Sequence, residues 1–255
     1  MDDADNQSGW LRTTAERVAF VIGLALLWEY AVEIFNIKAY LLPPPSRILA
    51  SLWSNRSVLI QQSIVTTWEI VLGYVSAVLG GIAIGLAIFA VPSLMRTLYP
   101  FIVIIQGIPK IALAPLMVIW VGYGISSKVL MAFLFAFFPV VITTLGGLAG
   151  TPVNLIEHFR ANRASQWTMF RRLQIPSALP SIMDGCKTAM PLAVIGAVVG
   201  EFVGAEQGLG YLILEANAAA RSDLLFAALV VISVIAGALY WLVELIAARV
   251  WWRAF

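Results

Sequence analysis

Charged residues are absent from three long stretches of the chain. Between Glu69 and Arg96 lie 26 uncharged residues, between Lys128 and Glu157 lie 28, and between Asp223 and Glu244 lie 20. Crossing the hydrocarbon core as a helix takes about 20 apolar residues, so each stretch is long enough. In lipid the backbone must satisfy its own N–H and C=O groups, and a helix does so within one segment. The runs do not alternate apolar and polar with period two, so a barrel is not predicted. Three further apolar stretches carry isolated charges. Val18–Phe35 holds Glu29 and Glu33, four apart on one helical face. Leu98–Val121 holds Lys110, and Gly185–Gly204 holds Lys187 and Glu201 near its two ends. The pattern predicts an all-α polytopic membrane protein with six transmembrane helices, at roughly 18–36, 63–91, 98–121, 129–150, 183–204 and 224–247.

The connections are also patterned. Residues 37–62 contain Leu42-Pro43-Pro44-Pro45-Ser46, a stiff extended punctuation, then a short amphipathic piece at Ile48–Trp53. Residues 205–223 contain Gly208-Leu209-Gly210 and then Tyr211–Arg221, read as a short helix outside the membrane or re-entering it. In 152–182, Asn154–Arg163 and Ser165–Leu173 read as two short helices meeting near Arg163-Ala164. Ser165 is placed at an N-cap, and Pro176 is expected to end the run. Such a knob, with exposed Trp167 and Phe170, is suited to docking on a partner. The bland alternative is an amphipathic loop held on lipid headgroups by Arg171 and Arg172.

Composition agrees with the spans. Of 255 residues, 61% are hydrophobic and 12% charged, and mean hydropathy is +0.90. A soluble domain carries about twice that charge, which excludes a soluble enzyme and a disordered chain. A net charge of +2 is too small to imply a nucleic-acid partner. One cysteine, Cys186, allows no intramolecular disulfide, and one histidine, His158, makes no metal site with it. Both read as inert, a packing residue and a loop residue. Asp2, Asp3 and Asp5 have the wrong sign for a signal peptide, so the first apolar stretch is read as a retained span.

Lys and Arg in the connections set the orientation. With the N-terminus in the cytoplasm, ten lie inside: Arg12, Arg17, Arg96, Arg160, Arg163, Arg171, Arg172, Lys187, Arg249 and Arg253. Five lie outside: Lys38, Arg47, Arg56, Lys128 and Arg221. Both termini and the 151–182 loop are therefore expected in the cytoplasm. Trp241, Trp251, Trp252 and Arg253 fit an interfacial belt and anchor.

The 152–182 loop resembles the cytoplasmic motif of permeases from binding-protein-dependent ABC importers, E-A-A-x3-G-x9-I-x-L-P. Glu157 stands at the Glu, Arg163 at the Gly, Leu173 at the Ile, and Ile175-Pro176 at the Leu-Pro, with the spacing kept throughout. His158-Phe159 replace Ala-Ala. The family's turn Gly tolerates positive φ, which Arg adopts at a cost. Gln106–Leu116 with Trp120–Gly124, Gly196–Gly204 with Gly208–Tyr211, and Leu42–Ser46 resemble the nitrate/sulfonate/taurine branch. The resemblance covers residues from about 40 to the C-terminus.

That resemblance implies a type-1 importer permease core with cytoplasmic coupling helices. It implies a pathway formed by two such subunits, two ATP-binding cassette subunits gripping the knobs, and an extracytoplasmic solute-binding protein. No cofactor is expected on this chain, since no G-x-x-x-x-G-K-[ST] loop occurs and ATP and Mg belong to the partners. The expected division is a cytoplasmic tail 1–17, a first helix and external connection 18–58, the transmembrane core 59–247 with its coupling loop 152–175, and a tail 248–255. ATPase coupling is assigned to Glu157, Phe159, Arg160, Arg163, Ala164, Ser165, Trp167, Phe170 and Arg171. A translocation pathway is assigned to Gln106, Pro109, Lys110 and Glu201.

These residues also have plainer readings. A charge at the depth of Lys110 costs about 2.5–3.5 kcal/mol on insertion scales. It gives the pathway a positive field suited to an anion, or it neutralises a neighbour such as Glu201. Glu201 is either part of an outer gate or an interfacial carboxylate. Glu29 and Glu33 are expected to face water or a partner helix, and Glu69 the interface. Gly80-Gly81 with Gly85, and Gly146-Gly147 with Gly150, read as helix contacts. The solute classes left open are sulfonate, taurine, nitrate, an aromatic carboxylate, or a neutral vitamin or pyrimidine precursor. The rival classes are a membrane enzyme or its scaffold and a passive channel. An intramembrane enzyme needs a nucleophile–base or paired-acid constellation, and no His or Asp joins Lys110 and Glu201.

Overall fold

A computed structural model describes residues 2–250, with side chains described for Glu16 and for Ala19 to Arg249. Trp251, Trp252 and Arg253 lie outside the described residues, as do the side chains of Arg12 and Arg17. Among the described residues eleven α-helices follow one another: α1 (Asp2–Ile34), α2 (Pro45–Ser54), α3 (Arg56–Ala90), α4 (Pro92–Gln106), α5 (Ala114–Val121), α6 (Ile125–Ala149), α7 (Val153–Ala161), α8 (Gln166–Met169), α9 (Ile175–Phe202), α10 (Leu209–Ala218) and α11 (Ser222–Val250). No strand occurs among the described residues.

Four helices among the described residues are long and apolar enough to span: Arg56–Ala90, Ile125–Ala149, Gln166–Phe202 and Ser222–Arg249. Joining Pro92–Gln106 to Lys110–Val121 makes five. The expected span at 18–36 falls in α1 and is not among them. The stretch 98–121 is not one straight helix as predicted. It bends by 87° at a break before Lys110–Leu113, a 3₁₀ turn. Pro109 precedes that turn, and Pro115 follows at the start of α5. A proline offers no N–H to the helical ladder, so Pro109 and Pro115 divide the stretch.

Pro176 does not end the helical run either. Residues 166–202 run as one helix with a π-helical turn at Phe170–Gln174 just before it. The wider turn spaces the carbonyls that a proline ring would meet in a regular α-helix, so α9 continues with Pro176 in its first turn.

Residues up to Ile60 together with Leu212–Val230 form one compact unit. In it, Glu29 of α1 accepts hydrogen bonds from Ser46 N–H at 2.9 Å and Ser46 Oγ at 2.6 Å. Pro45 opens α2 and Ser46 follows it, so Glu29 satisfies a first-turn amide and complements the positive helix end. Glu29, itself partly exposed, thus ties the Pro-rich connection to α1. Ile48 and Ser51 form the buried face of α2, as the short amphipathic pattern predicted.

Gln61–Tyr211 with the chain from Val231 onward forms the second unit. Its core is the pairing of α6 with α9 around Ala132, Ala136, Val140, Ala189, Ala193 and Ala197, all fully buried. Glycines set the closeness. A Cβ at Gly196 would lie 2.6 Å from the Met131 carbonyl oxygen, and one at Gly200 would lie 3.0 Å from Lys128 Cα. On α3, a Cβ at Gly81 would meet Val140 at 2.9 Å and one at Gly85 would meet Thr144 at 2.7 Å. These are the small-residue contacts of membrane helices, where packing replaces the hydrophobic effect. Gly147 joins them against Ser181, but Gly146 faces open space. Cys186 is buried in this core as a packing residue.

Candidate functional site

Two constructions occupy opposite ends of the α6–α9 pair. The loop 150–174 joins the C-terminal end of α6 to the start of α9. Residues 203–208 follow the far end of α9, where α6 begins.

At the first end, α7 and α8 form the expected pair of short helices. The turn between them is a Schellman motif. Ala164 N–H bonds Phe159 C=O at 3.0 Å, and Arg163 N–H bonds Arg160 C=O at 2.9 Å. Arg163 occupies the left-handed position with φ 54°, where glycine is usual. Ser165 caps α8 by accepting from Thr168 N–H at 3.1 Å. Glu157, Arg160, Arg163, Ser165 and Arg171 are exposed, and Phe159 and Ala164 are half-buried. Trp167 is 67% exposed. Phe170, expected to be exposed, is half-buried. It stacks on Phe89 at 6.2 Å between centroids and touches Trp167 at 5.9 Å. The π-turn carries Phe170 onto α3, so it anchors the loop while Trp167 projects. Trp167, Phe170, Phe89, Met95, Arg96 and Gln174 line a cavity of about 440 Å³. His158 is exposed, with its ring near Asn162.

At the second end, three successive amides begin α10. Gly208 N–H donates to Gln62 Oε1 at 2.5 Å, Leu209 N–H to Thr66 Oγ1 at 2.8 Å, and Gly210 N–H to Glu201 Oε2 at 2.5 Å. The Thr66 hydroxyl passes its proton's bond on to Glu201 Oε1 at 2.6 Å. These are the orphan donors that any helix start leaves, here satisfied by α3 and α9. Glu201 is 1% exposed. A Cβ on Gly208 or Gly210 would collide with its carboxylate, which explains glycine at both positions. Glu69, expected at the interface, is instead buried. Lys128 is also buried. Its ammonium donates to the carbonyls of Tyr123 at 2.5 Å, Gly204 at 3.0 Å and Gly124 at 3.3 Å.

Lys110 and Glu201 are not paired. The Lys110 ammonium sits over the rings of Phe138 at 5.4 Å and Phe135 at 5.7 Å. Gln106 and Lys110 are half-buried and Pro109 is exposed, all at the break in the α4–α5 span. The four residues that the sequence assigned to a pathway therefore separate into a group at the break and Glu201 inside the clamp. Gln62, Thr66, Glu69 and Lys128 were missed. Gln62, Thr66 and Glu69 recur at intervals of four and three, one polar stripe along the helix, with polar Gln61, Ser63 and Thr67 beside it. That stripe was the available signal. Among the described residues, no group of three His, Cys, Asp or Glu side chains fits a metal ion.

The chain is a helical membrane protein with a projecting helical loop at one end of the α6–α9 pair and a buried polar clamp at the other. The chain belongs to the family of binding-protein-dependent transport system inner membrane components, whose pattern matches residues 70–252. It is 35% identical to a probable ABC transporter permease protein of Haemophilus influenzae over 90% of this chain and 94% of that one. It is 39% identical to the formylaminopyrimidine transport permease protein of Halalkalibacterium halodurans over 77% of this chain and 78% of that one. A taurine transport system permease protein of Escherichia coli is 29% identical over 89% of this chain and 86% of that one. The fold matches a chain of the MetNI methionine ABC transporter, solved in inward-facing conformations, with a TM-score of 0.64. That match has 20% identity and covers 76% of this chain and 95% of the other.

Proposed function

We propose that this chain forms the translocation pathway of an importer driven by ATP hydrolysed on partner subunits. The observation that carries the reading is Trp167, exposed beside a cavity on a loop whose base is stacked onto the body by Phe170. A projecting aromatic on an anchored base is built to be gripped and to transmit force. The partners are a second copy of the chain, two ATP-binding cassette subunits, a solute-binding protein and the surrounding lipid. The chain itself holds no nucleotide; ATP and Mg stay on the cassette subunits. The loop and both termini face the cytoplasm of a bacterial cell, and residues 203–208 face outward. Residues 59–247 are the transport core, and 152–175 the coupling loop.

Trp167→Ala is expected to weaken cassette binding by about 2 kcal/mol, roughly thirtyfold, because truncating an aromatic anchor commonly costs that much. Glu157→Gln is expected to change it little, since an exposed ion pair is worth about 0–1 kcal/mol. Binding-protein-stimulated ATPase activity and uptake in reconstituted vesicles are the measurements. Full retention of both by a well-folded Trp167→Ala protein would exclude the loop as the coupling element.

The solute in this reading is a small anion. Lys110 places a cation at the broken span, held by two aromatic faces beside Gln106 and Pro109. Such a cation is costly in lipid unless it serves the pathway. Glu201 bears on the pathway through the loop it holds. Lys110→Met is expected to lower uptake at least tenfold with assembly and basal ATPase activity intact. Undiminished uptake would remove Lys110 from the pathway. A second reading, import of a neutral pyrimidine or vitamin precursor, is favoured by the relative named for formylaminopyrimidine transport. Binding assays with the cognate solute-binding protein separate the two.

A further inference from the structure

We infer that Lys128 is a positioning residue that joins the two loops 122–124 and 203–208 into one body, so that the segment from Lys110 to Val121 travels with the far end of α9 and the broken span flexes at residues 107–109. A lysine ammonium has three donors and no acceptor. Lys128 is buried, and its ammonium meets three backbone carbonyls. Two of them, on Tyr123 and Gly124, belong to the loop that closes α5 and opens α6. The third, on Gly204, is 76 residues further along the chain. Each hydrogen therefore has an acceptor, and bonds from a charged donor are roughly twice as strong as neutral ones.

Packing makes the same join. A Cβ on Gly204 would lie 2.8 Å from the Tyr123 ring and 3.6 Å from Val118 Cγ1, so the two loops touch where the ammonium bridges them. Gly204 has φ 79°, a conformation L side chains rarely adopt, so glycine both turns the loop and admits the ring. On the buried side of α5, Ala114 and Met117 pack with Met131 and Phe135 of α6, and Val199 and Val203 lie against the same cluster. The other half of the broken span differs. No residue of α4 is buried, whereas Ala114, Met117 and Val118 of α5 are. Only α5 is tied to the α6–α9 pair in this way, and the 87° break before it is the joint.

The consequence falls on Lys110. It opens the 3₁₀ turn that runs directly into α5, so the body that Lys128 assembles carries its ammonium. When the far end of α9 moves, Lys110 moves with it and the angle at the break changes. Without the Lys128 ammonium, apolar contacts alone hold α5, and the loop 203–208 no longer dictates where Lys110 stands. This consequence for transport rests on the importer reading; the join itself does not.

The test places pairs of spin labels on the full chain in lipid nanodiscs, with labelled chain diluted by unlabelled chain so that distances within one chain are read. Cys186, the single native cysteine and buried, is replaced by alanine. Ile119→Cys on α5 with Glu206→Cys on the 203–208 loop reports the join, and Ile104→Cys on α4 with Glu206→Cys reports across the break; all three positions are exposed. The 119–206 pair is expected to give one narrow distance. Lys128→Met is expected to add a second, longer population, raising the ratio of released to docked loop roughly tenfold, as loss of a charge-assisted hydrogen bond implies. Gly85→Ala, which crowds Thr144 away from both loops, controls for general destabilisation and is expected to leave that distance unchanged. In the reconstituted transporter, trapping the cassettes with ATP is expected to move the 104–206 pair and leave the 119–206 pair as it was. A single narrow distance retained in Lys128→Met would overturn the inference. So would equal broadening in Gly85→Ala, or, with cassettes bound, a 119–206 distance that changes with ATP as much as the 104–206 distance. If Lys128→Met fails to fold, the two pairs compared in its absence, with and without ATP, still decide. The ATP arm rests on the importer reading and the nanodisc arm does not, so the two fail separably.

Discussion

Glu201→Ala is expected to destabilise the protein by about 2–4 kcal/mol and to abolish solute uptake. Two hydrogen bonds disappear at once: those from Thr66 Oγ and from Gly210 N–H. A buried donor left without its acceptor costs about 1–3 kcal/mol. Interhelical hydrogen bonds in membranes average nearer 0.6 kcal/mol, because the unfolded chain also finds partners. The Thr66 hydroxyl keeps Gln62 C=O at 3.2 Å as an alternative, which limits its share. Gly210 N–H has no such alternative. The Lys128 charge also loses its balancing carboxylate. Glu201→Gln retains an acceptor for one of the two donors and opposes the other with its own NH₂, so it is expected to fall between wild type and alanine. Thermal unfolding in detergent and uptake in vesicles measure both effects. A Glu201→Ala protein that unfolds with the wild type and still transports would show that the clamp holds nothing.

An alanine at Gly196 is expected to be as damaging, although it adds a single carbon. Its Cβ would stand 2.6 Å from the Met131 carbonyl oxygen, 2.8 Å from Ala132 Cα and 3.0 Å from Ala132 N. All three are backbone atoms, so no side chain rotates out of the way. The α6–α9 pair must separate, which forfeits contacts among Ala132, Ala189, Ala193 and Ala197 as well. Overpacking of this kind costs about 1–3 kcal/mol, at the upper end when backbone must shift. Gly146→Ala is the control on the same helix pair. A Cβ there meets nothing within 4 Å, and alanine favours the helix by about 1 kcal/mol over glycine. The thermal midpoint is expected to fall for Gly196→Ala and to hold or rise for Gly146→Ala. Equal shifts would mean that helix propensity, not packing, decides at both positions.

Glycine thus illustrates what a linear pattern conceals. Gly146 and Gly147 are adjacent and looked equivalent in the sequence, yet one faces open space and the other meets Ser181. Aromatic side chains in the 152–175 loop behave alike. Trp167 and Phe170 are three apart and were both expected to project. The π-turn at Phe170–Gln174 turns Phe170 inward onto Phe89, and that turn has no sequence signature of its own. Pro176 read as a stop and proved to be a first-turn residue for the same reason.

Features governed by local chemistry were determined by the sequence alone. Charge-free runs of spanning length, the Ser165 cap, the turn at Arg163 and the amphipathic α2 each depend on neighbours within a few residues, so periodicity and spacing suffice to read them. The tertiary structure decided which polar groups meet. Thr66 and Glu201 lie 135 residues apart, and Gln62 and Gly208 lie 146 apart. Glu69 and Lys128 read as surface charges because a lone charge near a span end usually reaches water. Burial makes both internal, and only the packing of α3, α6 and α9 supplies the partners that make burying them tolerable.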